Sequence, residues 1–352
     1  MIQAATGTGT ETRVPARPRP CRSAERRVGP VELECGGTLT GCVVGYECIG
    51  PPGAPAVAVL GGISADAHVC AHDADPRPGW WDAFVGPRRS IDTGRYRLIG
   101  MDWLGGPGAT TGDPGPAGRL PAITPGDQAA LLAGLLDALG IDRLHAIVGA
   151  SYGGMAALAF AARFPRRLRR AVVISAAHET HPMATALRSI QREIVRAGLR
   201  AGREAAGLAL ARQLAMTTYR TDAEFAARFG NAPVWEDGVA RFPVEEYLVH
   251  KGRSFAGRFT AEQYLRLSES LDLHRVDPAS IRVPVTLVAV EQDTLVPSWQ
   301  MEELRERLRG SGELVRIVSR FGHDAFLKER AAIAPVIRSV LAEAGRERTV
   351  HP

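Results

Sequence analysis

The sequence predicts an α/β fold: a mostly parallel, doubly wound sheet carrying an inserted helical lid. Three observations lead there. Short apolar runs without strict alternation recur along the chain, as expected of strands buried on both faces. Helical stretches separate most of them, so consecutive strands need crossover connections. One interval of roughly a hundred residues breaks the alternation and reads as helix throughout.

Residues 1–29 are Thr/Gly-rich and then Arg/Pro-rich, with no apolar period, and are expected to form a disordered leader. Residues 31–35 and 41–48 read as two strands of a hairpin separated by a Gly-Gly turn. Buried strands are expected at 56–60, 96–101, 144–148, 171–175, 285–290 and 314–318. A helix is expected over 124–139, with Pro125 in its first turn and Gly140 as its stop. Others follow at 155–164, which is Ala-rich and closed by Pro165, and at 298–308 and 325–342. Between 179 and 277 no strand pattern stands out, and helices are expected at 183–198, 202–218, 222–229, 245–254 and 260–271. Insertions at strand ends of such sheets commonly cover the site, so 179–277 is expected to be a lid. The core is then 30–178 with 278–345, and 346–352 is a tail.

Composition narrows the function. With 45% hydrophobic and 23% charged residues, the 352-residue chain has ordinary globular usage and is not mainly disordered. The formal net charge is +5, but residues 1–30 hold six arginines against two glutamates, so the remainder is near neutral. A nucleic-acid-binding domain would carry its basic residues on a folded face, so no nucleic-acid partner is expected. No window approaches the roughly 18–20 apolar residues of a membrane span. No basic segment followed by an apolar core opens the chain, so a cytoplasmic protein is expected. The five cysteines, Cys21, Cys35, Cys42, Cys48 and Cys70, include no C-x-x-C pair. They read as free, mostly buried thiols, and no metal is expected.

The strongest chemical signal is the run 144–155, which contains Gly149-Ala-Ser151-Tyr-Gly153. The pattern G-x-S-x-G is short, but an apolar strand leads into it and an Ala-rich helix leaves it, the context a nucleophile elbow needs. The sharp turn lifts the Ser151 hydroxyl above the sheet at a helix N-terminus, where partial positive charge favours a developing oxyanion. A serine at neutral pH needs a base. In the α/β-hydrolase fold the order is serine, acid, histidine. Asp293 follows the strand at 285–290 and is the candidate acid, with Glu291 as its rival; His323 follows the strand at 314–318 and is the candidate base. The backbone N–H groups of Tyr152 and of Ile63, in the loop Leu60-Gly61-Gly62-Ile63-Ser64, are the candidate oxyanion hole.

These residues carry a family resemblance. From about 31 to 342 the chain resembles the α/β-hydrolase-fold homoserine O-acyltransferases of methionine biosynthesis. The likeness rests on Gly61-Gly-Ile-Ser-Ala-Asp-Ala-His68, Gly149-Ala-Ser-Tyr-Gly-Gly-Met155, Thr218-Tyr-Arg220-Thr, Arg258-Phe with Tyr264-Leu, and Gly322-His-Asp-Ala-Phe-Leu-Lys328. Tyr152 departs from the methionine that acetyl-transferring members typically carry there. The elements Gly62-Ile-Ser, Ser151-Tyr-Gly and Leu265-Arg-Leu-Ser-Glu-Ser-Leu-Asp-Leu-His274 look more like the succinyl-transferring branch. The resemblance implies a ping-pong transfer from succinyl-CoA to homoserine through an acyl-Ser151, with acetyl-CoA as alternative donor and serine as alternative acceptor. A plain esterase with the same triad is a further alternative. It implies no cofactor, acyl-CoA being a co-substrate, and a homodimer through lid helices.

Homoserine is a zwitterion, so its site needs a cation and an anion. Asp324, beside the base, is the candidate for the ammonium. Arg220 matches the family position proposed to clamp the carboxylate. A succinyl donor needs one more cation, for which Arg188 and Arg192 on the first lid helix are candidates.

Overall fold

The structure, a computed structural model, describes residues 24–113 and 120–346. The first half of the chain forms β1 (Ala24–Arg27), β2 (Val31–Glu32), β3 (Thr38–Leu39), β4 (Val43–Ile49), β5 (Ala56–Leu60), β6 (Arg97–Met101), α1 (Pro125–Ala138), β7 (Ala146–Ala150), α2 (Tyr152–Arg163) and β8 (Ala171–Ile174). A helical segment follows: α3 (Pro182–Arg200), α4 (Glu204–Thr218), α5 (Asp222–Arg228), the short strands β9 (Val234–Glu236) and β10 (Val239–Arg241), α6 (Pro243–Ala256) and α7 (Ala261–Asp272). The chain then returns to the sheet with β11 (Val285–Val290), α8 (Ser298–Arg307), β12 (Gly312–Ile317), α9 (Ala325–Lys328) and α10 (Arg330–Arg346).

Eight strands form one sheet in the order β1-β4-β6-β5-β7-β8-β11-β12. β1, β4 and β6 pair antiparallel, and every junction from β6 through β5, β7, β8 and β11 to β12 is parallel. β5, β7, β8 and β11 are buried along their whole length, which is why their sequences are unbroken apolar runs. One face packs against α1, α2 and α8 through Leu132, Leu158, Phe160 and Met301. The other packs against α10 through Ile333, Ile337 and Val340, and against Trp81 and Phe84 from the β5–β6 connection. α1 starts where a capping box holds it: the Thr124 hydroxyl accepts from the Asp127 N–H, and the Asp127 carboxylate accepts from the Thr124 N–H. No described helix is long and apolar enough to cross a membrane.

Four local expectations are corrected. The last residues of the supposed leader, Ala24–Arg27, form an edge strand on β4, because backbone pairing does not require apolar side chains; residues 1–23 lie outside the described residues. The hairpin partner of β2 is the two-residue β3, and residues 43–49 instead enter the main sheet. The helix after Ser151 begins at Tyr152, three residues earlier than its apolar pattern suggested, since Gly153 and Gly154 are weak helix formers held by packing. The lid interval contains a small exposed hairpin, β9–β10, around Asp237-Gly238, both of which have positive φ. Cys35 is exposed, whereas Cys42, Cys48 and Cys70 are buried, and all four are free thiols. Cys21 lies outside the described residues.

Candidate active site

The elbow is built by what its glycines permit. Ser151 has φ +55° and ψ −121°, a strained conformation for a residue with a Cβ. It holds because its amide donates to the Ile174 carbonyl (2.9 Å) and its carbonyl accepts from the Met155 N–H (3.0 Å). A Cβ on Gly149 would strike the Gly153 carbonyl, and one on Gly153 would strike the Leu60 carbonyl. The strand and the helix can therefore approach closely enough to turn the chain within one residue.

β12 leads into a short 3-10 turn, Gly322–Asp324, that carries His323. Its Nε2 lies 2.8 Å from Ser151 Oγ, and its Nδ1 lies 2.7 Å from Asp293 Oδ2. With Asp293 accepting the Nδ1 proton, Nε2 is the acceptor for the serine proton. The other Asp293 oxygen accepts from the N–H groups of Leu295 (2.9 Å) and Val296 (3.0 Å), which fix the carboxylate after β11. Glu291, the rival acid, turns outward to Ser298 and Arg316. Burial opposes charge on His323, but the Asp293 carboxylate and its hydrogen bond, helped by Asp324, outweigh it and raise the imidazole pKa.

Two amides point to an oxyanion site. The N–H groups of Ile63 and Tyr152 have no protein acceptor among the described residues. The loop carrying Ile63 is pinned to the elbow: the Gly153 N–H donates to the Gly61 carbonyl (2.8 Å) and the Trp103 indole to the Gly62 carbonyl (3.0 Å). The Tyr152 side chain is fully buried, edge-on to Trp103 at 4.9 Å. Its hydroxyl lies 2.7 Å from Ser270 Oγ on α7 and accepts from the Gln128 amide (3.2 Å). Burial holds the phenol protonated. The elbow is thereby tied to the lid.

The cavity over Ser151 is roofed by α3, α7 and the end of α4. The Tyr219 ring stacks on His323, with centroids 6.0 Å apart. Arg188 also lines the cavity, whereas Arg192 lies behind it. Both bond Asp272: Arg188 Nε to Oδ1 at 2.8 Å and Arg192 Nη1 to Oδ2 at 2.6 Å. Arg220 and Asp324 meet each other, Nε to Oδ2 at 3.2 Å, and Arg220 also bonds Glu224 at 2.8 Å. Neither lines the cavity, so the two groups assigned from sequence to opposite ends of a zwitterion are here an ion pair next to the base. Burial raises the Asp324 pKa, opposed by Arg220 and His323.

Comparison with known proteins agrees with this geometry. Residues 57–330 match the model of the alpha/beta hydrolase fold. Over 300 residues, 85% of this chain and 79% of the relative, the sequence is 44% identical to a homoserine O-succinyltransferase of Xanthomonas campestris pv. campestris. The chain belongs to the homoserine O-acyltransferase family. This acyltransferase is also 37% identical to a serine O-succinyltransferase of Litchfieldella anticariensis, over 89% of this chain and 96% of the relative. The crystal structure of homoserine O-acetyltransferase from Bacillus anthracis superposes with a TM-score of 0.83 at 20% identity, covering 92% of this chain and 98% of that one, and shows the shared fold.

Three features of the acyltransferase were not read from its sequence. Asp272 had no assigned role, although it sits within the quoted run 265–274 and is the one acid there that reaches Arg188 and Arg192. Gln128 and Ser270, partners of the Tyr152 hydroxyl, are far from it in sequence; Gln128 carries no local motif, and Ser270 had no assigned role within the quoted run 265–274. Glu47, His68 and His72 come together as three groups able to hold a metal ion; the H-x-x-x-H spacing of His68 and His72 was the available signal, and Glu47 is distant from it in sequence. Here they satisfy one another: Glu47 accepts from His68 Nδ1 (3.0 Å) and His72 Nε2 (3.2 Å), and His68 Nε2 donates to the Arg77 carbonyl (2.8 Å). Burial opposes charge on His68, and these partners overcome it, so its pKa is raised.

Proposed function

We propose that this enzyme transfers the succinyl group of succinyl-CoA to the hydroxyl of L-homoserine, a step of methionine biosynthesis, in two covalent half-reactions. His323 Nε2 takes the Ser151 proton as Oγ bonds to the thioester carbon. The tetrahedral oxyanion is received by the Ile63 and Tyr152 amides. The C–S bond then breaks, the proton passes from His323 to the thiolate, and CoA leaves a succinyl-Ser151. In the second half the homoserine hydroxyl gives its proton to His323 and attacks the ester. The Ser151–carbonyl bond breaks, and the proton returns to Oγ. Asp293 keeps the imidazole oriented and stabilises its charged form throughout.

The observation carrying this reading is the hydrogen-bonded chain Ser151–His323–Asp293 beneath a helical roof, in a chain 44% identical to a homoserine O-succinyltransferase. Arg188 and Arg192 against Asp272 leave one surplus positive charge beside the cavity, which supports Arg188, the one of the two that lines it, as the partner of the distal succinyl carboxylate. Homoserine is received by opening the Arg220–Asp324 pair, its carboxylate going to Arg220 and its ammonium to Asp324. Exposed apolar residues on α3 and α4, among them Met183, Ile190 and Leu210, support a lid-to-lid homodimer.

Thiol release with succinyl-CoA or acetyl-CoA, and with homoserine or serine, tests the assignment. Intact mass after brief exposure to each donor identifies the acyl group held. Succinyl-CoA with homoserine is expected to be the fastest pair. Rates no faster than those of Ser151→Ala would reject transfer altogether. Acetyl-CoA or serine as the preferred substrate would reassign donor or acceptor.

A further inference from the structure

Beside the catalytic cavity lies a second cleft whose charge the proposed steps do not use. It is lined by Arg220, Arg228, Lys251, Arg320 and Lys328, with Glu224 as its single acid. Glu224 is buried and shared: Arg220 and Lys328 each bond its Oε1 at 2.8 Å, and Arg228 lies 3.6 Å away. Asp324 compensates Arg220 from behind. Among the described residues, Lys251 and Arg320 have no carboxylate within ion-pair distance. Each faces a ring instead, with Lys251 Nζ 6.0 Å from the Tyr247 centroid and Arg320 5.1 Å from that of Phe321. Arg220 and Arg228 crowd the same Tyr247 ring, at 5.4 and 4.6 Å. Five cations against two carboxylates leave a surplus of positive charge in one concavity. Burial, with smaller contributions from the neighbouring Arg220, Arg212 and Arg228, lowers the Lys251 pKa, in the direction expected where cations crowd. Such crowding is unfavourable until a polyanion relieves it.

We propose that this cleft binds the phosphates of the CoA moiety while the thioester reaches Ser151 from the adjoining cavity. The inference rests on the acyl-CoA reading above. The two concavities are lined by neighbouring residues of the same two chain segments. Thr218 and Tyr219 line the catalytic cavity, and Arg220 and Glu224 line the cleft; His323 lines the cavity, and Arg320 and Phe321 line the cleft. Those segments are joined to each other, the Asp324 N–H donating to the Tyr219 carbonyl (3.1 Å) and the Thr221 hydroxyl to the Arg320 carbonyl. A ligand with a multiply charged head, a flexible neutral arm and a reactive thioester matches that sequence of surfaces. Arginine forks and a lysine point charge are the groups that recognise phosphate. Because CoA departs before homoserine attacks, head-group binding beside Arg220 does not compete with the acceptor.

The test compares succinyl-CoA with succinyl-pantetheine, which has the arm and thioester but no phosphate, in the wild type and in Lys251→Gln/Arg320→Gln. The double variant is expected to lose about tenfold or more in kcat/KM for succinyl-CoA, through KM, the scale of one or two charge-assisted contacts. The penalty is expected to be confined to the phosphate-bearing donor. Equal losses with both donors, or no loss with either, would overturn the proposal. Calorimetric titration with adenosine 3′,5′-bisphosphate separates this outcome from failure of the transfer reading. Binding that weakens in the double variant supports the cleft even if no donor is turned over. Binding that is absent, or equal in both proteins, overturns it.

Discussion

At the scale of single residues, His323 sets the pH response of the proposed transfer. It must be neutral to accept the serine proton, and Asp293 and Asp324 raise its pKa above the ordinary 6.5 in spite of burial. The kcat/KM for the acyl donor is therefore expected to fall on the acid side through an apparent pKa above that of an ordinary histidine. Asp324→Asn removes an anion that favours the imidazolium, so the acid limb should move to lower pH. A limb that stays in place, or moves up, would show that Asp324 does not act on the base. Arg188 offers an independent test at the donor end. Its guanidinium lines the cavity and is shared with Arg192 on one carboxylate. Arg188→Met is expected to cost about tenfold or more in kcat/KM with succinyl-CoA while sparing acetyl-CoA, which has no distal carboxylate. Parallel losses with both donors would place the succinyl carboxylate elsewhere.

At the scale of elements, the site depends on how closely β5, β7 and α2 approach. The Gly153 Cα sits against the Leu60 carbonyl, and its N–H holds the Gly61 carbonyl. Gly153→Ala is expected to destabilise the fold by about 1–3 kcal/mol, the usual scale of overpacking. It should also remove the burst of CoA release, because the loop bearing Ile63 must shift. Denaturant unfolding and rapid mixing check the two parts, and an alanine variant of wild-type stability would mean that the approach is looser than described. These elements were largely legible in sequence because each leaves a local mark. Buried parallel strands read as unbroken apolar runs, and the elbow reads as glycines around one serine between a strand and a helix. Asp293 and His323, which the structure brings to Ser151, could be picked out because strand-end loops are countable. What stayed hidden was pairing between distant segments. Ala24–Arg27 joins the sheet by backbone alone, Asp272 binds α3 from α7, and the Tyr152 hydroxyl finds Ser270 and Gln128. The Arg220–Asp324 contact was hidden for the same reason, since charge complementarity with a ligand and with a neighbour look alike in a sequence.

At the scale of the whole molecule, the problem is to favour homoserine over water, which is far more abundant. The sheet alone would support an esterase, since the proposed triad and both proposed oxyanion amides come from strand ends and their loops. In the proposed mechanism the lid makes the difference by covering the acyl-serine and limiting productively placed water. Val195, Leu208, Tyr264 and Leu267 join the lid to the apolar core, and specific polar contacts add to that hold: Tyr152 to Ser270 at the elbow, the Tyr219–Thr221 link to the loop of His323, and the Arg258 guanidinium to the Ser64 carbonyl (3.1 Å). Tyr152→Phe with Ser270→Ala removes the first of these and leaves the Tyr152 backbone amide in place. The double variant is expected to raise CoA release in the absence of homoserine by about tenfold, equivalent to roughly 1.4 kcal/mol less protection of the ester, while transfer with saturating homoserine changes less. The wild type without acceptor should release close to one equivalent of CoA per active site and then stall, with the acyl group visible in the intact mass. If the double variant stalls equally, closure is set by the other lid contacts and the Tyr152 tether serves only packing.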